Sequence, residues 1–304
     1  MVIAGATATG KTGLSLRLAE QLRSDGIPAE IVSADSRQVY RGLDIGTAKV
    51  DGADRARVPH HGLDLVEPDR SFSVAEYAEH ARGALAGIAK RQGVAILVGG
   101  TGLYLRVIAR GLATDALPSD AVMRARIEAE LVADGVAALA ARLRAVAPER
   151  AGRIDLHNPR RVVRALEIAE LRGDASLPPP RGYPAPVAWL GLQVAPSVHR
   201  ARIAERARAQ FAAGLLDEAR ELRERFDPSL PAFSAIGYRE AWAVLDGRAS
   251  LHEAIEMDIG RNAAFAKRQR TWFRAEPDID WFDAAGDLDA AARAAVDGLL
   301  VDAP

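Results

Sequence analysis

The sequence predicts an α/β fold in which a parallel sheet core is interrupted by a helical insertion and completed by a helical carboxyl-terminal part. Three observations predict it. Short apolar runs alternate with helix-period stretches over residues 1 to 117, residues 118 to 172 carry Ala, Leu, Arg and Glu without any strand pattern, and a strand pattern returns at 187 to 194 before further helices. The core is therefore expected at 1–117 with 187–304, and the insertion at 118–186.

Taken in order, Val2-Ile3-Ala4 is an apolar run short enough for a buried strand, and Leu14, Leu18 and Leu22 follow at helical spacing. Between them, Gly5-Ala6-Thr7-Ala8-Thr9-Gly10-Lys11-Thr12 completes a G-x-x-x-x-G-K-[ST] phosphate loop in the strand-to-helix context that the motif requires. The flanks disfavour the alternative of an ordinary glycine-bearing turn. In such a loop the backbone N–H groups face phosphate oxygens, Gly5 and Gly10 permit the turn, Lys11 reaches the terminal phosphates and the Thr12 hydroxyl reaches Mg²⁺. The core is thus P-loop NTPase-like.

The next strand, Glu30-Ile31-Val32-Ser33-Ala34, ends in Asp35, ahead of Ser36-Arg37-Gln38-Val39-Tyr40. A carboxylate there lies in the crevice where open α/β sheets bind ligands. Asp35 is a metal ligand or general base on one reading, and a turn residue or helix cap on the other. The stretch Gly42 to Asp69 has no sustained periodicity and reads as a long functional loop. Its His60-His61 pair, without Cys or spaced carboxylates, reads as part of that loop and not as a metal site. A helix near 73 to 91 precedes the most apolar later strand, Val94-Ala95-Ile96-Leu97-Val98, which runs into Gly99-Gly100-Thr101-Gly102. A nucleotide hydrolase or kinase generally sets an Asp at the end of a neighbouring strand to hold Mg²⁺. No carboxylate stands at this one.

The insertion shows apolar spacing at Leu139, Leu143, Val146 and at Val162, Leu166, Ala169, and closes in the proline-rich run 177–186, a stiff linker. Helices are then expected at 197–212, 215–225, 235–246 and 251–274, followed by a strand at Asp280-Trp281-Phe282 and a last helix.

A hydrophobic share of 49% with 27% charged residues marks a globular chain, and the absence of Cys excludes disulfides and thiolate metal sites. The amino end enters a strand at once and no run reaches the length of a membrane span, so a cytoplasmic location with no membrane partner is expected. A net charge of −1 offers no global attraction to nucleic acid, so any RNA must be held by local clusters. Two exist. Arg142, Arg144, Arg150, Arg153, Arg160, Arg161, Arg164 and Arg172 face only Glu149, Asp155, Glu167 and Glu170, while Arg261, Lys267, Arg268, Arg270 and Arg274 lie in a stretch without any acid. On a helix Lys267, Arg270 and Arg274 share a basic face and Phe265 and Trp272 a packed one. A solvated charged face is the competing account.

The phosphate loop, Ser33-Ala34-Asp35-Ser36-Arg37-Gln38-Val39-Tyr40, Asp44-Ile45-Gly46-Thr47-Ala48-Lys49, Val98-Gly99-Gly100-Thr101-Gly102-Leu103-Tyr104, Asn158-Pro159-Arg160-Arg161, Ala235-Ile236-Gly237-Tyr238 and Ala266-Lys267-Arg268-Gln269 together resemble the bacterial tRNA dimethylallyltransferases over nearly the whole chain. The resemblance implies transfer of a dimethylallyl group from dimethylallyl diphosphate to N6 of the adenosine just 3′ of the tRNA anticodon, with the anticodon stem-loop as the bound region; a monomer is the expected working form. It also implies that residues 5 to 12 hold the diphosphate, with Mg²⁺ at Thr12. By the same resemblance Asp35 accepts the N6 proton, Thr101 positions the amine or phosphate, and Arg220 neutralises the leaving oxygens. Asp35, Ser36, Arg37 and Gln38 would contact the target nucleotide. Arg160, Arg161 and Arg164, with Lys267, Arg270 and Arg274, would contact the rest of the tRNA. Ala6 and Thr9 depart from the Pro and Ser usual in the family's loop, and Arg160 from a Gln.

Other readings differ in what they explain. A small-molecule kinase using ATP accounts for residues 1 to 24 but leaves the Arg-rich insertion and Gly99-Gly100-Thr101 without a task. A prenyltransferase for free adenine nucleotides shares the chemistry without needing an RNA-sized basic surface. A non-enzymatic RNA-binding protein would carry the loop as a relic.

Overall fold

A computed structural model describes residues 1–112, 118–174 and 179–301. The chain divides into two compact units, Met1–Gly111 with Gly182–Pro304, and Leu112–Arg181. Leu177 and Pro178 of the expected proline linker lie outside the described residues.

The first unit is built on one six-stranded sheet with the spatial order β3-β2-β4-β1-β5-β6, and every pairing is parallel. Its strands are β1 (Val2–Gly5), β2 (Ala29–Ser33), β3 (His60–His61), β4 (Val94–Gly99), β5 (Trp189–Gln193) and β6 (Asp280–Asp283). Strand β1 sits at the centre, Ile3 registering with Val98 on one side and Leu190 on the other. Strands covered on both faces need continuous apolar sequence, which explains why β1 reads as an unbroken apolar run. Because β2, β4 and β1 are neighbours running in one direction, their carboxyl ends deliver Asp35, Thr101 and the phosphate loop to a single crevice.

The helices are α1 (Lys11–Ser24), α2 (Gly52–Arg57), α3 (Val74–Lys90), α4 (Gly102–Ala109), α5 (Ala121–Val146), α6 (Pro148–Ala151), α7 (Pro159–Arg172), α8 (Pro196–Ala212), α9 (Leu215–Arg225), α10 (Tyr238–Leu245), α11 (Leu251–Arg274) and α12 (Leu288–Val301). Leu14, Leu18 and Leu22 of α1 are buried with Leu288, Ala292 and Val296 of α12 against one face of the sheet. Helix α3 starts at a capping box in which the Ser73 hydroxyl and the Glu76 carboxylate exchange bonds with each other's backbone N–H groups. Tyr77 of α3 stacks on Tyr104 of α4 with ring centroids 3.8 Å apart. Helices α8 and α11 pack together around Ile203, Ala207, Ile259 and Ala266, and Ala6 of the phosphate loop belongs to the same cluster.

The stretch 42–69 differs from the long loop expected. It contains α2 and the two-residue edge strand β3, organised by charge more than by apolar periodicity. Lys49, its side chain fully buried, donates to the Tyr40 carbonyl and to the Asp44 and Asp64 carboxylates. The Glu218 carboxylate accepts the N–H groups of Asp44, Ile45 and Gly46 and the Tyr238 hydroxyl. His61 bonds Glu30 at 2.7 Å, so this histidine serves the sheet edge. Among the described residues no group of three potential metal ligands exists.

The second unit is helical. Helix α5, broken at Gly135 where φ is 78°, packs with α6 and α7 around Leu139, Leu143, Val162 and Leu166. Asn158 caps α7 through its side chain and Pro159 fills the first helical position, which tolerates a residue lacking an N–H. No helix among the described residues is long and apolar enough to cross a membrane.

Candidate active site

The phosphate loop leaves β1 through Gly5, where a Cβ would lie 2.7 Å from the Leu192 carbonyl oxygen, and reaches α1 through Ala8 (φ 59°) and Gly10 (φ 96°). Left-handed residues interleaved in this way point successive N–H groups to one side. Helix α1 begins with no side-chain cap and no acid in its first turn, so its N–H groups and positive dipole end remain available to an anion. Lys11 donates to the Ala6 carbonyl at 2.7 Å. Burial and then the Arg206 charge pull its ammonium down to about 8, with Asp35 opposing. A bound anion would reverse that trend.

Side chains from α8 and α11 hold the loop from outside. Every polar group of Thr7 is engaged: its N–H donates to Gln269 Oε1 at 2.8 Å, its hydroxyl accepts from Arg206 at 2.9 Å, and its carbonyl lies 2.7 Å from His199 Nε2. Burial lowers the pKa of Arg206, and the Asp35 and Asp258 carboxylates oppose the shift. Its Nε is sealed from solvent without a hydrogen-bond partner.

Across the crevice, Asp35 accepts the Arg37 N–H on Oδ1 at 2.8 Å, and Thr101 accepts the Ser36 N–H at 3.0 Å. The glycines ending β4 are explained by contact. A Cβ on Gly99 would lie 2.1 Å from the Ala34 carbonyl oxygen, and one on Gly100 would lie 2.2 Å from Gln269 Nε2. Gln269 also donates to the Gly100 carbonyl at 3.0 Å, so this one amide ties the phosphate loop to the end of β4. The crevice therefore presents an amide nest and two cations opposite one carboxylate and one hydroxyl.

The structure brings Asp35, Thr101 and residues 5–12 together, and it puts Arg220 elsewhere. Arg220 is exposed on α9 and pairs with Asp217 one turn earlier, whereas the arginine at the loop is Arg206. Sequence reading missed Arg206 and His199. The signal available was their shared position on a helix rich in arginines, which does not say which one faces inward. Gln269 closes the segment Ala266-Lys267-Arg268-Gln269, and the resemblance assigns it no role.

Ser36 lies against Thr101, Arg37 reaches the Pro231 carbonyl at 3.0 Å, and Gln38 bonds Ser33 and Thr47. Arg160 and Arg161 are exposed on the first turn of α7, but Arg164 donates to Glu167 and to the Pro118 carbonyl. On α11, Lys267 and Arg274 are exposed while Arg270 turns to His199 Nδ1 at 2.9 Å. The expected packed side also changes. Phe265 is 36% exposed, and the buried residues of that helix segment are Ala266, Gln269 and Phe273.

Residues 38–276 match the family model described as IPP transferase. The chain is 44% identical to the tRNA dimethylallyltransferase of Roseiflexus sp. (strain RS-1) over 303 residues, covering 97% of each chain. It is also 44% identical to the tRNA dimethylallyltransferase of Thermus thermophilus, covering 94% of this chain and 93% of that one. The full-length tRNA isopentenylpyrophosphate transferase of Bacillus halodurans superposes with a TM-score of 0.70 at 36% identity, over 99% of this chain and 95% of that one. A eukaryotic dimethylallyltransferase acting on tRNA shares the fold with a TM-score of 0.77 at 24% identity, covering all of this chain and 79% of that one.

Proposed function

The chain belongs to the IPP transferase family, and from that premise we infer that it is a tRNA dimethylallyltransferase, moving a dimethylallyl group from dimethylallyl diphosphate to N6 of the adenosine 3′ of the anticodon. One observation carries the chemistry: Asp35 and Thr101 stand across a crevice from an amide nest, and the strand end between them is bare glycine. A site arranged this way binds a diphosphate and takes a proton, and the end of β4 lacks the carboxylate that nucleotide hydrolases and kinases set on a neighbouring strand to hold their metal.

The adenine amine is a weak nucleophile because its lone pair is delocalised into the ring. The N6–C bond forms as the C–O bond to diphosphate breaks, and the N6 proton passes to Asp35, a general-base step contributing roughly 10²- to 10⁴-fold. Charge developing on the departing diphosphate is met by the loop N–H groups, Lys11 and Arg206, fixed donors that need no reorganisation during the step. Arg206 takes the role first expected of Arg220, because its guanidinium is anchored at the loop. Thr101, bonded to the Ser36 N–H, orients the incoming amine or a phosphate oxygen.

Thr12 is exposed at the start of α1, and no three-ligand acidic or histidine cluster exists among the described residues. That set fits a hard cation held by one hydroxyl, phosphate oxygens and water, which suits Mg²⁺. Bound there, Mg²⁺ would neutralise diphosphate charge. The exposed Arg160 and Arg161 and the exposed Lys267 and Arg274 are proposed tRNA phosphate contacts.

Incubation of the protein with labelled dimethylallyl diphosphate, Mg²⁺ and unmodified tRNA, followed by nucleoside analysis, should give N6-(dimethylallyl)adenosine. Its absence, or consumption of ATP in its place, would reject this assignment.

A further inference from the structure

The peptide joining Thr7 to Ala8 is held from one side by a single side chain. Its carbonyl oxygen lies 2.7 Å from His199 Nε2, and the His199 ring, only 2% exposed, has its other nitrogen 2.9 Å from Arg270 Nη1. Arg270 has only protons to offer, so Nδ1 must accept and Nε2 must carry the hydrogen that is donated to Thr7. The bonding partners thus fix a neutral ring in one tautomer.

A trans peptide is planar, with its C=O and the following N–H pointing in opposite directions. Drawing the Thr7 carbonyl outward to α8 therefore turns the Ala8 N–H inward, and the left-handed Ala8 (φ 59°) aligns it with the N–H groups that follow. Gln269 and Arg206 fix the N–H and hydroxyl of Thr7, but neither touches the Thr7–Ala8 peptide plane. Rotation of that plane would set a carbonyl oxygen against the phosphate site in place of a donor.

We propose that His199 is a positioning residue for diphosphate binding, holding the Thr7–Ala8 peptide in its donor-inward orientation through the Arg270–His199–Thr7 chain. The proposal rests on the reading of residues 5–12 as a diphosphate site and adds a control to it. Protonating His199 would put a hydrogen on Nδ1 against the Arg270 guanidinium. The charged groups facing the ring, Arg270 on α11, Lys11 at the start of α1 and Arg202 on α8, are all cations. Burial first and these charges next hold the His199 pKa below its ordinary value, while the bond to Thr7 opposes them. The neutral clamp is therefore intact through neutral pH and is lost only as pH falls below the usual histidine range. A cavity of about 170 Å³ lined by both His199 and Arg270 gives the displaced guanidinium space to move.

Calorimetric titration of the full chain with inorganic pyrophosphate and Mg²⁺, from pH 8 down to the acid limit of folding, tests this. Three proteins are compared: the unaltered chain, His199→Ala and His199→Gln, with ligand-free melting followed for each. The Gln amide can donate to Thr7 and accept from Arg270 without titrating, so His199→Gln should bind like the unaltered protein at neutral pH. The ratio of their dissociation constants, in which the ligand's own titration cancels, should rise only as pH falls below the histidine range. His199→Ala should bind about tenfold more weakly at neutral pH, the cost of one donor left unaimed. Equal binding by folded His199→Ala, or a flat ratio for His199→Gln, would overturn the clamp alone. No pyrophosphate binding by the unaltered chain would overturn the diphosphate site and the clamp together.

Discussion

At the phosphate loop, Lys11 and Arg206 donate to a carbonyl and a hydroxyl and have no carboxylate in ion-pair contact among the described residues, whereas in the helical unit Arg124, Arg126, Arg142 and Arg164 each close on a glutamate. The two regions are both basic in sequence, yet the first keeps desolvated cations without a carboxylate, while Arg160 and Arg161 of the second stand exposed to solvent. In the second, Glu167 is fully buried and gathers Arg124 and Arg164, while Glu130 and Glu170 share Arg126 and Arg142. Desolvated cations that forgo ion pairs are costly, and a site keeps them where an anionic ligand supplies the countercharge. Counting arginines along the chain does not distinguish these uses, and their partners do.

The difference between the regions can be broken or sharpened by substitution. Asp35→Ala should lower prenyl transfer roughly 10²- to 10⁴-fold while pyrophosphate binding persists; near-normal turnover would remove the base from the scheme. Arg206→Ala should cost on the order of 10²- to 10³-fold in kcat, as loss of one fixed donor to a developing anion does. A change of only a few-fold would mean that its charge is not used on the leaving group.

In the helical unit the expected loss is of stability. Glu167→Ala removes the buried carboxylate shared by Arg124 and Arg164 and should cost about 3 kcal/mol in chemical denaturation of the chain. Burial pushes the Glu167 pKa up, but bonds from Arg164, the Asp120 N–H and Arg124 outweigh it and leave the group below its ordinary value. A carboxylate with a depressed folded pKa contributes stability that is present above the unfolded pKa and lost as pH falls through the folded one. Acid unfolding of the unaltered protein should therefore show this loss beginning in the ordinary Glu range and reaching completion below it, and the variant should lack that component.

Replacing Arg160 and Arg161 together by Ala should weaken tRNA binding and reduce its logarithmic salt slope by about two, leaving pyrophosphate affinity alone. An unchanged slope would mark these exposed arginines as solvated surface. Smallest of all, Arg220→Ala should change transfer by less than about twofold, since its partner is the exposed Asp217.

The sheet core was legible because its signals are local: an unbroken apolar run for β1 and for most of β4, a motif with fixed spacing, and a proline-rich return to the core. Asp35 and Thr101 were legible for the same reason, each following a recognisable strand. Stretch 42–69 was not. Its order comes from Lys49 and Glu218 reaching across the chain, contacts with no sequence period. Arg206 escaped because α8 carries Arg200, Arg202, Arg206 and Arg208 on one amphipathic helix, and only its packing on Ala6 selects which arginine meets the loop. Phe265 misled for the converse reason, since heptad spacing with Trp272 places both on one helical face without saying that small Ala266 and polar Gln269 are the residues buried.

The bare end of β4 constrains what the chain can become. Gly99 presses so closely on Ala34 that any acid substituted there would first have to prise two adjacent strands apart. A metal-holding aspartate at position 99 itself is thus closed to a single substitution. The loop keeps a spacing shared with nucleotide-binding proteins, while the neighbouring strand admits no side chain beside it.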